Sequence, residues 1–105
     1  MRDVRSMSKE QCEAWMRELE ESGAIRDITE DHRLRLAALQ NPARRRILEA
    51  LRDRPMGLEE LSQRLNIPST QLRFHIEMLR SALYVELEGD VVDLTPRGVH
   101  YIRYR

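Results

Sequence analysis

The stretch LEELSQRLNIPSTQLRFHIEMLRSALYVELEGDVVDL, residues 58–94, decides the fold, because its hydrophobic period changes partway along. Leu58, Leu61 and Leu65 recur at helical spacing. They end on Asn66-Ile67-Pro68, a tight turn, since the residue before a proline is pushed away from helical angles. Ser69 then reads as the cap of a second, longer helix running to about Ala82. At 100° per residue, Leu72, Ile76, Leu79 and Leu83 of this segment share one face and turn to the core. From Tyr84 the period drops to two, with Val85 and Leu87 on one side and Tyr84, Glu86 and Glu88 on the other. Gly89-Asp90 is a hairpin turn signal, and Val91 to Leu94 returns as the partner strand.

Reading outward adds helices on both sides. Asn41-Pro42 is a cap followed by proline at the first helical position, and that helix runs to about Asp53 with Ile47, Leu48 and Leu51 inward. Before it, a helix capped by Thr29 runs to about Gln40, with Leu34, Ala37 and Ala38 on its buried side. Ser8, with Gln11 three places on, opens an N-terminal helix whose stripe is Cys12, Trp15, Met16 and Leu19 and whose stop is Ser22-Gly23. Thr95-Pro96 opens a last helix carrying Val99, Tyr101, Ile102 and Tyr104. Residues 1–7 have no period and are expected to be disordered. The expected fold class is therefore mainly α with a small β-hairpin. Helix, tight turn, longer helix and two-stranded ribbon is the winged helix-turn-helix order, here with an extra N-terminal helix and a C-terminal helix. One domain is expected over 8–105, with its core at 34–95 and terminal helices at 8–22 and 96–104.

Four segments carry a family resemblance. LQNPARRRILEAL (39–51) looks like the entry helix of ArsR-type transcriptional regulators, and LEELSQRL (58–65) like the first helix of their helix-turn-helix. STQLRFHIEMLR (69–80) resembles their recognition helix, including His75-Ile76, and LTPRG (94–98) resembles a common exit from the wing. The resemblance covers about residues 34–104. It implies a homodimer on double-stranded DNA, paired through the terminal helices by Trp15, Met16, Leu19, Val99, Tyr101, Ile102 and Tyr104. The sequence departs from the family in two places. Cys12, His32, His75 and His100 are scattered singly, so no metal or other cofactor is expected. The wing offers Glu86, Glu88, Asp90 and Asp93 and no base, which a duplex would repel.

The residues expected at DNA are Ser69, Thr70, Gln71, Arg73 and Phe74, with Arg44 and Arg64 from the preceding helices. Arg73 has the donors for guanine and Gln71 those for adenine, while Thr70 or Phe74 suits a thymine methyl. Plainer readings stand beside these: Arg73 solvated, Phe74 packed on the wing or a neighbouring helix, His75 in a structural hydrogen bond. The run Arg44-Arg45-Arg46 opposes its own helix dipole, which fits a phosphate, a neighbouring carboxylate or a solvated face.

The 105 residues balance 18 basic against 18 acidic groups, unlike a strongly basic nucleic-acid binder. An alternative therefore remains open, a winged-helix protein–protein interaction module with little DNA affinity. No run approaches the ~20 apolar residues that span a bilayer, and no apolar signal core follows the start, so a cytoplasmic location is expected. Cys12 lies in an apolar stripe, and no paired nucleophile and base or Gly-rich phosphate loop occurs, so catalysis is not expected.

Overall fold

The computed structural model describes residues 3–104; Met1, Arg2 and Arg105, and with them part of the expected N-terminal disorder, lie outside the described residues. The helices are α1 (Lys9–Glu21), α2 (Ile28–Gln40), α3 (Pro42–Ala50), α4 (Leu58–Leu65), α5 (Ser69–Ser81) and α6 (Pro96–Arg103). Three strands, β1 (Met56–Gly57), β2 (Val85–Glu88) and β3 (Val91–Leu94), form an antiparallel sheet in the order β1-β3-β2. In the hairpin Val85 faces Leu94 and Leu87 faces Val92, as the alternation requires.

Local chemistry explains most boundaries. Ser8 and Gln11 form the expected capping box, each side chain accepting from the other's backbone N–H. The start of α2 differs: Asp27, not Thr29, caps it, its carboxylate accepting from the N–H groups of Thr29 and Glu30 at 2.9 and 3.2 Å. Asn41 and Pro42 open α3 as expected, but that helix ends at Ala50 rather than near Asp53. Ser69 is the first residue of α5 rather than its cap, and the α5 start carries no side-chain cap bond. Leu83 lies beyond α5 in the left-handed conformation, φ 63°, in the position glycine usually takes after a helix. There the N–H of Tyr84 reaches back to the carbonyl of Leu79 at 2.9 Å and closes the helix end.

Residues 3–7 are placed against the body of the fold. Val4–Ser6 form one 3₁₀ turn, Val4 is buried, and Arg5 donates to the carbonyls of Leu51 and Arg52 and to Asp93. An anchor of this kind leaves no periodicity in sequence.

The core joins Ile47, Leu48 and Leu51 of α3, Leu61 of α4, Leu72, Ile76 and Leu79 of α5, and Val85, Val92 and Leu94 of the sheet. Helices α1 and α6 lie against one another within the chain. The exit from the wing is fastened tightly. Thr95 Oγ1 donates to the carbonyl of Leu83 at 2.6 Å and accepts from the N–H of Gly98 at 3.2 Å. Arg97, next along, is buried and forks onto Asp31 of α2 with bonds of 2.8 and 3.2 Å, while also donating to the carbonyl of Ala82.

Candidate nucleic-acid interface

Helices α4 and α5 are joined by the turn 66–68, in which Asn66 adopts left-handed angles (φ 54°). With Leu72, Ile76 and Leu79 buried, the first two turns of α5 present Ser69, Thr70, Gln71, Arg73 and Phe74 outward, all exposed. Phe74 is 60% exposed rather than packed away on the wing or a neighbouring helix, and its ring meets that of His75 edge-on at 5.8 Å between centroids. Two shallow depressions flank the helix. Thr70, Gln71, Phe74 and His75 line one, and Ser69 and Arg73 line the other with Glu59 of α4 and Asp90 of the wing turn. A short helix, a turn, a longer helix with a free polar N-terminal face and a ribbon beside it are thus assembled in one place.

Comparison with known proteins agrees with this geometry. A family model described as "Helix-turn-helix domain" matches residues 39–88. Among solved structures, HlyU from Vibrio cholerae N16961 superposes with a TM-score of 0.53 and 25% sequence identity, over 73% of this chain and 96% of that chain. The chain is a winged helix-turn-helix regulator. No curated protein sequence matches the regulator significantly. Among its described residues no helix is long and apolar enough to cross a membrane, and no group of three or more His, Cys, Asp or Glu is placed to hold a metal ion.

One expected DNA contact is corrected by the regulator's structure. Arg44 is buried, with all three guanidinium nitrogens engaged: Nε and Nη2 each donate at 2.9 Å to the carbonyls of Ala38 and Ala37, and Nη1 lies 3.2 Å from Nδ1 of His75. It ties the C-terminal end of α2 to α5 and is not available to a phosphate. The neighbouring arginines follow the same logic. Arg45 donates to the carbonyl of Leu39, and Arg46 to that of Leu65 at 3.1 Å. Positive charge that would oppose the dipole of α3 is therefore spent on the open carbonyls at the ends of α2 and α4, where it is favourable. Arg45 and Arg46 remain exposed and line one surface depression with Arg64, the expected contact on α4. These two, rather than Arg44, are the basic groups of the run that reach solvent. The helical stripe Arg44, Ile47, Leu48, Leu51 carries the signal that separates them: Arg44 stands on the buried face of α3.

His75 makes the structural contact expected of it. Burial and then the positive charge of Arg44 lower its pKa from the ordinary value near 6.5. A neutral ring with Nδ1 accepting from Arg44 follows, which leaves the proton on Nε2. Because the folded pKa lies below the unfolded one, this part of the stability is complete above about pH 6.5 and is lost as pH falls through the folded value. Urea unfolding at pH 7 and pH 5 is expected to show a loss of stability on acidification that His75→Gln diminishes. An equal loss in both proteins would refute the assignment.

The apolar residues of the terminal helices differ in setting. Val99 and Ile102 are buried in the chain's own core, on a helix that lies against α1 and α3. Trp15, Met16, Leu19, Tyr101 and Tyr104 are half-buried; Trp15 lines a groove against the wing, and the Tyr104 hydroxyl donates to the carbonyl of Met7 at 2.9 Å. Cys12 is fully buried, and burial followed by the charge of Glu13 raises its pKa, the condition of an unreactive thiol. An apolar surface absent from the sequence expectations appears on α2, where Ile28 and Leu36 are exposed two turns apart.

Proposed function

We propose that the regulator binds double-stranded DNA as a homodimer and reads sequence with the N-terminal half of α5 in the major groove. The observation that carries this reading is the uninterrupted exposed face formed by Ser69, Thr70, Gln71, Arg73 and Phe74. Arg73 suits guanine, Gln71 adenine, and Phe74 a thymine methyl. Arg45, Arg46 and Arg64 are the groups suited to phosphates, and such contacts make affinity fall as salt rises. Met16, Leu19, Tyr101 and Tyr104, only half-covered by their own chain, are the residues proposed to meet the second protomer. A two-fold dimer would space its reading helices by one DNA turn, ~34 Å, and so select a pseudo-palindrome. The chemistry asked of these residues is binding, not catalysis.

Fluorescence anisotropy against labelled DNA from upstream of the protein's own gene tests this, titrated across ~50–200 mM salt. Two protomers per site are expected, with affinity falling as salt rises. Arg73→Ala should lower it by about tenfold to a hundredfold, the value of one base-reading contact. A specific observation favours a second reading: Phe74 is a large apolar side chain left 60% exposed, as on a surface that meets a protein. A folded protein that binds neither this DNA nor mixed genomic fragments at the low-salt end would select the interaction module instead.

A further inference from the structure

The acidic wing, unexplained by DNA binding, borders a groove on the side of the sheet away from the core. Here β2 turns out Glu86 and Glu88, and β3 turns out Val91 and Asp93, as alternation demands when Val85, Val92 and Leu94 point inward. The 3₁₀ turn and α1 rise beside this face. Between them lies an open groove of about 580 Å³ with Val4, Trp15, Pro55, Val91, Leu94 and Pro96 as its apolar lining. That volume is in the range of sites that accept small molecules.

The charges around the groove are unequal. Arg5, next in sequence to the groove residue Val4, is held by Asp93 at 2.6 Å and by the carbonyls of Leu51 and Arg52. Among the described residues neither Glu86 nor Glu88 forms an ion pair, and both are exposed at the groove's rim. An indole and several apolar side chains therefore stand next to two uncompensated carboxylates. This combination accepts a positive charge twice over, by attraction to the carboxylates and by the negative face of the Trp15 ring, while the remaining lining takes an apolar body. An anion or a sugar would gain neither.

We propose that this groove is a binding site for a small organic cation with an aromatic or aliphatic body, held by Trp15, Glu86 and Glu88. The charge complementarity commits the site to a cation, and the apolar lining commits it to one that is not simply a metal ion or a polyamine. The assignment does not depend on DNA binding.

Trp15 is the chain's one tryptophan, so its fluorescence reports on this groove. Tetraphenylphosphonium and tetraphenylborate have the same shape and opposite charge, and each is titrated into the full-length protein. A saturable change in Trp15 emission is expected with the phosphonium and not with the borate. The double variant Glu86→Gln/Glu88→Gln alters only exposed side chains and should keep the native circular dichroism and melting temperature. It should weaken phosphonium binding by about tenfold or more, the effect of losing charge-assisted contacts. No saturable response to the phosphonium, an equal response to both ions, or undiminished binding by the folded double variant would each overturn the proposal.

Discussion

Asp31→Ala is expected to destabilise the protein by about 3–5 kcal/mol, the range for removing one partner of a buried ion pair. The side chains of Asp31 and Arg97 are 10% and 7% exposed, and their two parallel contacts of 2.8 and 3.2 Å span 66 residues of sequence. Truncating the aspartate leaves the guanidinium of Arg97 buried with the Ala82 carbonyl as its remaining acceptor among the described residues, where Nε already has no partner. Arg35 also loses its 3.1 Å contact with Asp31, but it is partly exposed and that loss is small. The pair does not owe its importance to a large net attraction, because desolvating both charges offsets much of the Coulomb gain. The variant Asp31→Leu/Arg97→Met should therefore recover most of the stability lost by either single change. Urea unfolding of the two single variants and the double variant checks this. A cost below about 1 kcal/mol for Asp31→Ala would show that water reaches the guanidinium and relieves it.

Legibility in sequence followed the length and regularity of each element. The pair α4 and α5, the hairpin and the capped start of α6 were readable because each joins a clear period to a turn residue with one conformational use. Strand β1 was not, since Met56-Gly57 is too short to show a period and is a strand only because β3 pairs with it. Thr29 and Asp27 are both good caps, and local composition does not choose between them. The site divided in the same way. The outward face of α5 followed from the inward leucines, whereas the fate of Arg44 depended on its place in a stripe of three apolar residues, a signal that its charge obscured. Asp31 was hidden similarly, on the same side of α2 as Leu34 and Ala38. The stripes on α1 and α6 were legible as apolar faces, but what covers them was not. A sequence stripe states that a face is buried and not what buries it, and here each helix covers much of the other's.

Gly98→Ala should cost on the order of 3 kcal/mol, at the upper end for adding one methyl group to a packed site. A methyl placed on Gly98 would fall inside contact distance of the Tyr84 carbonyl oxygen, with Cδ2 of Leu94 at 3.0 Å on another side. The carbonyl is the decisive neighbour because it is backbone and already accepts from the N–H of Thr95 at 3.1 Å. Moving it means shifting the start of β2, where Val85 pairs with Leu94, or the end of α5, where the N–H of Tyr84 bonds to Leu79. Moving α6 instead would pull Thr95 and Arg97 from their partners on either side of the same junction. Alanine's better helix propensity offsets about 1 kcal/mol at most, and less in the first turn, where Gly98 stands. Glycine is needed here for space rather than for a special backbone angle. Thermal melting measured by circular dichroism should show Gly98→Ala well below wild type and Gly98→Val lower still. A melting temperature unchanged in Gly98→Ala would mean that α6 can slide without loosening the wing, contrary to the fastening by Thr95 and Arg97.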